Sequence, residues 1–147
     1  MTDAFEFRFR VRYPECDAQG VVFNARYGDY TDLAVTEFWR VLMGGYEAMR
    51  STGYETQVVR LLTQWQGPAR FDEVLHARVQ CQHLGNTSFT LQVVFTHESG
   101  RPVAVTDITY VLVDAHSFEK RALPEELRIQ LAQGAPGRRV DQSGSAY

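Results

Sequence analysis

The sequence predicts an α+β fold in which one long helix packs across a curved, five-stranded antiparallel sheet. In residues 27–42, apolar side chains recur at the spacing of an amphipathic helix. In the segments before and after this helix, apolar and polar residues alternate as they do in half-buried strands. The elements therefore follow as one strand, the helix and four more strands, which we expect to pair in chain order as a meander.

The first strand is predicted over residues 5–13, where every second side chain is apolar. The positions between them carry Glu6 and three arginines, Arg8, Arg10 and Arg12. These arginines can be interpreted as a phosphate-binding row. Alternation alone explains them, however, so we interpret the row as a solvated face of the sheet.

A polar loop joins this strand to the long helix. Asp17 lies in the loop, because Pro14 and Gly20 interrupt regular structure on either side of it. Asn24 is a good N-cap residue, so the helix is predicted to begin after it and to end at Gly44. Unpaired N–H groups in the first turn of a helix can bind a developing oxyanion. A carboxylate placed ahead of such a turn indicates carbonyl chemistry.

The later strands are separated by turn signals rich in Gly, Asn, Asp and Ser. The turn at residues 85–87 lies between two alternating runs and predicts an antiparallel hairpin. The four strands after the helix are predicted over residues 57–69, 74–83, 89–95 and 102–115.

Residues 44–53 are expected to form a polar turn, and residues 123–131 to form a short helix that begins near a proline. We assign residues 1–133 to a single domain, because no linker or repeat divides them. Residues 134–147 form a polar tail with little to bury, which we expect to be mobile unless a neighbouring subunit orders it.

Length and composition limit the possible functions. A chain of 147 residues, 44% of them hydrophobic, can form one hydrophobic core. A net charge of −3 and a pI near 5.8 argue against a nucleic-acid partner. Neither a signal peptide nor an apolar run of about 18 residues is present, so we expect a cytoplasmic protein with no membrane partner. Cys16 and Cys81 lack CxxC spacing, which fits a reducing compartment.

Spacing argues against several kinds of catalytic site. The histidines lie on separate predicted elements without HxxxH or HExxH spacing, so neither a metal nor another cofactor is expected. The GxSxG motif of a serine hydrolase is absent. Cys16 is a poor nucleophile, because the adjacent Asp17 would raise the pKa of its thiol. Asp17 can itself be a turn residue whose carboxylate accepts nearby N–H groups.

The loop and the helix also carry a family resemblance. The run Arg12-Tyr13-x-Glu15-x-Asp17-x-x-Gly20-x-Val22-x-x-x-x-Tyr27-x-x-Tyr30, with Glu37 and Arg40 further on, resembles the 4-hydroxybenzoyl-CoA thioesterase family of hotdog-fold enzymes. Two later segments resemble further signatures of that family: Pro68-Ala69-x-Phe71-Asp72-Glu73-x-Leu75 and Leu84-Gly85-Asn86-Thr87-Ser88-Phe89. Many members have His at the position of Asn24, which is a departure.

The resemblance implies a hotdog fold, in which the curved sheet wraps around the helix, and hydrolysis of an acyl-CoA to a free acid and CoA. It implies that Asp17 attacks the thioester carbonyl or activates a water, and that the backbone N–H of Asn24 binds the oxyanion. Gly20 is expected to turn the loop sharply and to leave room for the substrate.

Other residues are candidates for binding the two halves of the substrate. Aromatic and aliphatic side chains that can line either kind of acyl pocket are Phe23, Tyr27, Leu62 and Trp65. For the CoA phosphates, the resemblance implies contacts before the last short helix and in the hairpin turn, where this chain has Lys120, Arg121, Thr87 and Ser88.

Edge strands left open by this fold imply a homodimer with a continuous sheet, or a homotetramer. Two other functions stay open. One is a hotdog protein that binds acyl-CoA without hydrolysing it, and the other is an enoyl-thioester hydratase or dehydratase. Asp17 favours an enzyme over a binding protein, and the lack of a histidine near Asp17 favours the thioesterase over the hydratase.

Overall fold

The structure is a computed structural model that describes residues 3–144. Within this range the chain forms three α-helices and one six-stranded sheet, where five strands, one long helix and a short helix over residues 123–131 were predicted. The short helix is confirmed as the last of the three helices. The helices are α1 (Arg26–Met43), α2 (Tyr46–Arg50) and α3 (Glu125–Gln133). The strands are β1 (Phe5–Arg10), β2 (Tyr54–Trp65), β3 (Val74–Leu84), β4 (Ser88–His97), β5 (Pro102–Asp114) and β6 (Arg139–Asp141).

Helix α1 packs on one face of the sheet through the apolar stripe that its sequence predicts. Aromatic rings contribute to this contact: Phe38 of α1 lies 5.7 Å from Phe5 of β1, and Trp39 lies 5.7 Å from Phe89 of β4, measured between ring centroids. Burial of such large side chains contributes most of the stability of a domain of this size. The helix ends at Gly44, which has the left-handed conformation expected of a C-terminal glycine.

The predicted N-cap was wrong. Helix α1 begins at Arg26, the cap position is Ala25, and no side chain bonds the first turn. A turn precedes the helix instead, because the carbonyl groups of Phe23 and Asn24 accept the N–H groups of Arg26 and Tyr27. The Asn24 side chain is therefore not needed to start the helix. Residues 44–53 also differ from the predicted polar turn, since α2 forms within them.

The order of the strands corrects the predicted meander. Strands β3, β4 and β5 do pair in chain order, but β2 pairs antiparallel with β5 and not with β3. The reason is the connection after β2, which crosses to the far side of the sheet. There the Ala69 carbonyl accepts the Val22 N–H at 2.8 Å, and the Glu73 carbonyl accepts the Val11 N–H at 2.9 Å.

The predicted mobile tail contains strand β6, which pairs in parallel with β1 and makes the sheet mixed. The edge of β1 that does not face β3 has backbone groups that need partners. The segment of β6 supplies them: for example, Arg8 O accepts the Gln142 N–H at 2.8 Å. The outer face of β1 is only partly solvated, because the side chains of Arg8 and Arg10 are 23% and 31% exposed. Glu6 is only 9% exposed and pairs with Arg139 of β6 at 3.0 Å. Residues 145–147 of the tail lie outside the described range.

Strand β2 lies at the opposite edge, next to β5 only, and it is the most exposed strand. Its apolar side chains are unusually accessible for an edge strand: Val59 is 61% exposed and Trp65 is 53% exposed. Among the helices within residues 3–144, none combines the length and the apolar content needed to cross a bilayer.

Removal of the tail tests the role of β6. A chain that ends after Gly137 loses the backbone bonds of residues 138–142 to β1 and the bond from Arg10 Nε to the Ser143 carbonyl. At about 0.5–1.5 kcal/mol for each bond, we expect the free energy of unfolding in urea to fall by about 2 kcal/mol. Arg138→Ala is the control, because only the backbone of Arg138 bonds to β1. Equal urea midpoints for the truncated and full chains would contradict a stabilising β6.

Candidate active site

The loop between β1 and α1 is a narrow hairpin that spans residues 15–23. Its arms are joined by backbone bonds from the Phe23 N–H to Glu15 O and from the Asp17 N–H to Val21 O, both 2.9 Å long. A further bond, from the Val22 N–H to Ala69 O, attaches the hairpin to the connection after β2. Asp17 therefore lies at the tip of a hydrogen-bonded hairpin, within the loop that its place between Pro14 and Gly20 predicts.

The tip itself is a tight turn. The Gly20 N–H donates to Asp17 O at 2.9 Å, and Gly20 has a φ of +76° that other residues adopt only with strain. A Cβ atom added at Gly20 would meet no protein atom within 4 Å, so the requirement for glycine within the protomer is conformational. The Asp17 carboxylate accepts the Gln19 N–H through Oδ1 at 2.8 Å, which is the bond expected of an Asp in a turn.

The base of the hairpin is held by a buried carboxylate. Glu15 is 5% exposed and accepts hydrogen bonds from the backbone and guanidinium of Arg12 and from the Tyr30 hydroxyl. Burial by itself raises the pKa of Glu15, but the bonds from Arg12 and Tyr30 outweigh it and hold the pKa below its usual range. Burial and the bond to Glu15 raise the pKa of Tyr30, which stays a neutral donor.

An open pocket of about 300 Å³ lies beside the tip of the hairpin. It is lined by four of the residues predicted for the site, namely Asp17, Asn24, Tyr27 and Trp65. The Tyr27 and Trp65 rings contact each other edge to face, with centroids 6.0 Å apart. Burial raises the pKa of Tyr27 to about 12, so its hydroxyl is neutral and able to donate. The pocket thus combines a carboxylate with an aromatic wall.

Asn24 lies at the junction of the hairpin and α1. Its backbone N–H has no acceptor among the hydrogen bonds of residues 3–144, whereas the N–H groups of Val22 and Phe23 before it are paired. The position is exposed and lies two residues before the first residue of α1. An unpaired N–H group at the positive end of a helix can donate to an anion.

Two predicted pocket residues lie elsewhere. Phe23 is 47% exposed and Leu62 is 40% exposed, and neither lines the pocket with Asp17. Leu62 belongs to the face of β2 that points away from α1, because side chains alternate along a strand and its neighbour Leu61 is the one that approaches Gly28 of α1. The alternation was visible in the sequence, but which face meets α1 was not.

The residues predicted to bind CoA phosphates lie at the other end of the sheet. Leu112 of β5 connects two of them: its N–H donates to Thr87 O, and its carbonyl accepts the Arg121 N–H. The pocket lies near Trp65, which is paired with Ala104, whereas Tyr54 is paired with Asp114 near Arg121. These two ends of β5 are roughly 34 Å apart at about 3.4 Å per residue. Ser88 and Lys120 lie at the same end, bridged to Val111 and Val113.

Arg121 has a partner within its own protomer. Its guanidinium lies 3.2 Å from Asp114, and the N–H groups of Ser117 and His116 also bond that carboxylate. These N–H groups, together with Arg121, hold the pKa of Asp114 below its usual range. The Arg121 side chain is still 46% exposed, so an external anion can reach it.

Cys16 adjoins Asp17 but has the environment of an inert thiol. Burial, Glu15 and Asp17 all raise the pKa of Cys16, which disfavours the thiolate. Sequence reasoning did miss part of the pocket, which is completed by Gln19, Val21, Val22, Gly67 and Pro68. Pro68 and Val22 belong to the family signatures, so their place in those motifs was a usable signal. No group of His, Cys, Asp or Glu within residues 3–144 could hold a metal ion.

Comparison with known proteins supplies the family. A sequence model described as the Thioesterase-like superfamily matches residues 11–131. YbgC, an acyl-CoA thioester hydrolase of Escherichia coli, is 25% identical over 132 residues, which are 90% of this chain and 98% of that protein.

Two solved structures are similar along nearly their whole length. YbaW, a probable thioesterase from Escherichia coli, is 30% identical with a TM-score of 0.75, over 88% of this chain and 97% of that one. A hypothetical protein from Aquifex aeolicus is 27% identical with a TM-score of 0.80, over 86% and 98% of the two chains. The chain therefore belongs to the thioesterase-like superfamily and has the hotdog fold, here with a mixed six-stranded sheet.

Proposed function

We propose that the protein is an acyl-CoA thioesterase, which hydrolyses a CoA thioester to a free acid and CoA with Asp17 as nucleophile or general base. One observation carries the proposal: the pocket beside the start of α1 combines the Asp17 carboxylate with Asn24, whose N–H group is unpaired within residues 3–144. A carboxylate and a free donor at a helix N-terminus suit attack on a carbonyl whose oxygen becomes negative. The relatives named as thioester hydrolases support the same reaction.

The turn bond of Asp17 is compatible with catalysis. Oδ1 accepts the Gln19 N–H at 2.8 Å, which fixes the plane of the carboxylate. Oδ2 accepts no hydrogen bond from the described part of the chain, so it can face a carbonyl carbon or a water. One oxygen orients the group while the other remains available to react.

Two routes use this arrangement. In the first, Oδ2 attacks the carbonyl carbon, the carbon–sulfur bond breaks, CoA leaves as a thiolate that takes a proton from water, and a second water hydrolyses the mixed anhydride. In the second, Asp17 accepts a proton from the attacking water and passes it to the leaving thiolate. Both routes develop an oxyanion, which a donor such as the Asn24 N–H stabilises by about 10²–10³ in kcat.

The alternatives to hydrolysis have less support. Hydration of an enoyl thioester commonly pairs an Asp with a His, and the pocket that holds Asp17 contains no histidine from residues 3–144. A protein that only binds acyl-CoA gains nothing from a carboxylate beside the carbonyl, because the charge adds no attraction for that group. We therefore propose the hydrolase.

We also propose that the protein is at least a homodimer, joined through β2. The described sheet ends on the other side in β6, which has only three residues, so β2 is its long open edge. It exposes a row of apolar side chains, including Val58, Val59 and Leu61. A long, apolar and unpaired edge strand favours pairing with another strand. If β2 pairs with β2 of a second copy, the open edges of both copies gain hydrogen-bond partners at once.

Dimerisation brings the two halves of the predicted site together. A two-fold axis pairs the β2 strands antiparallel, so the Trp65 end of one protomer lies beside the Tyr54 end of its partner. Asp17 lies near the first end and Arg121 near the second. The separation of roughly 34 Å within one protomer is thus replaced by proximity between protomers. CoA would then bind across the interface, with its thioester at Asp17 and its phosphates at the partner.

Asp17→Asn keeps the shape of the side chain and removes its charge. Because the carboxylate is the reacting group, we expect hydrolysis of acyl-CoA substrates to fall by about 10³-fold, with ligand affinity kept or improved. Asn24→Ala should do modest harm, since the proposed donor is a main-chain group. Thiol release in a single turnover measures both. If the Asp17→Asn variant hydrolysed acyl-CoA at close to the wild-type rate, the mechanism would be ruled out.

Val59→Lys introduces a charge at the centre of the proposed interface. A two-fold contact carries the change twice, so we expect the dimer to dissociate about 10²-fold more readily in light scattering. Ile129→Lys is the control, because Ile129 is also an exposed apolar side chain, 48% accessible, but lies on α3. A wild-type protein that is a stable monomer at micromolar concentration would contradict the dimer.

Arg121→Ala tests the proposed phosphate contact. Loss of one charge-assisted bond should raise KM for a CoA thioester about tenfold and leave KM for a short non-nucleotide thioester unchanged. The comparison of the two substrates is the internal control, because damage to the fold would affect both. An equal effect on the two would remove Arg121 from the site.

A further inference from the structure

The proposed reaction does not use Glu15, although Glu15 is the most thoroughly bonded carboxylate near Asp17. Its Oε1 accepts the Arg12 N–H at 2.7 Å and the Tyr30 hydroxyl at 2.9 Å. Its Oε2 accepts Arg12 Nε at 2.9 Å and Arg12 Nη2 at 2.6 Å. Glu15 is 5% exposed, so its carboxylate has little contact with water. Each of its two oxygens accepts two hydrogen bonds from the protein instead, which uses the lone pairs of both.

These bonds join three separate segments of the chain. Arg12 follows β1, Glu15 begins the hairpin that carries Asp17, and Tyr30 belongs to the first turns of α1. The Glu15 carbonyl also accepts the N–H of Phe23, the residue directly before Asn24. Glu15 therefore fixes the position of both the hairpin arm leading to Asp17 and the arm leading to Asn24.

Stability alone does not explain a carboxylate at this place. Burial of a charge has a desolvation cost, and an apolar side chain of similar volume is often as stable as a buried ion pair. What an apolar side chain cannot supply is direction, because a saturated set of hydrogen bonds holds its members at fixed distances and angles. A reacting pair displaced by about 1 Å loses about 10²-fold in rate.

We propose that Glu15 is a positioning residue, which holds the Asp17 carboxylate at its working distance from the N–H of Asn24 through its bonds to Arg12, Tyr30 and Phe23. The inference rests on the proposed thioesterase function. Glu15 acts through Asp17 and does not touch the substrate, so its loss should lower kcat and leave KM for the acyl-CoA nearly unchanged.

Two variants remove parts of the network. Glu15→Gln keeps the shape but places an NH₂ group against donors, and Tyr30→Phe removes one hydroxyl and keeps the ring in the core. We expect kcat to fall about 10²-fold in Glu15→Gln and about tenfold in Tyr30→Phe. Glu6→Gln is the control, because Glu6 is also a nearly buried carboxylate paired with an arginine, on the face of β1 opposite α1.

A double-mutant cycle separates positioning from general damage to the fold. Each variant is made in the wild-type background and in the Asp17→Asn background, and single-turnover hydrolysis is measured at saturating acyl-CoA. If Glu15 acts through Asp17, Glu15→Gln lowers the wild-type rate about 10²-fold but changes the small residual rate of Asp17→Asn by less than about threefold. Glu6→Gln should leave kcat unchanged in both backgrounds.

Two results would overturn the positioning role: a wild-type kcat in Glu15→Gln, or an equal fall in both backgrounds. If Glu15→Gln fails to fold, the same cycle with Tyr30→Phe decides, since that variant retains the apolar core. Failure of the proposed function is a different result, because it would appear as a normal rate in Asp17→Asn before any change at Glu15.

Discussion

The free edge of β2 is the constraint on which the rest of the arrangement depends. A strand of 12 residues that exposes valine, leucine and tryptophan along an unpaired edge favours association, and the proposed dimer pairs this edge with a second copy. The opposite side of the sheet ends in the three-residue strand β6, which offers far less backbone for pairing than β2 does. The proposed interface along β2 adjoins the pocket at Asp17, because Trp65 of β2 lines that pocket.

The hairpin that carries Asp17 meets the opposite requirement, which is rigidity. Its arms are bonded to each other, its side is bonded to Ala69, and its base is held by Glu15. Catalysis by a carboxylate and a main-chain donor depends on the distance between them more than on any shift in pKa. A loop that is bonded on every side is a suitable support for such a pair. Tyr30 extends this support into the core through its contacts with Phe9 and Tyr27.

Much of this could be predicted from the sequence. The helix and strand periods located α1 and the buried faces, and four residues named from the sequence line one pocket, three of them near the start of α1 and the fourth, Trp65, on β2. The strand order could not be predicted, because alternation does not specify a neighbour, and a connection bound to the hairpin carries the chain across the sheet. Strand β6 could not be predicted, because its three residues lie in a polar tail without a periodic signal. Their pairing partner is β1, at the other end of the chain.

The binding residues show the same limit. Leu62 was predicted for the pocket, but both Leu61 and Leu62 are apolar, and only the contact of Leu61 with Gly28 shows which side chain faces α1. Lys120 and Arg121 lie far from Asp17 within one protomer, which no pattern in a single chain can indicate. In the proposed dimer, the partner subunit supplies these residues to the pocket at Asp17.

Mixed dimers test the central claim, that one site is built from Asp17 of one protomer and Arg121 of its partner. Asp17→Asn and Arg121→Ala chains with different tags are produced together, and the heterodimers are isolated and assayed at low acyl-CoA concentration. A shared site leaves one of the two sites intact, so the heterodimer should recover about half of the wild-type kcat/KM. Activity equal to the average of the two parent homodimers would contradict the claim.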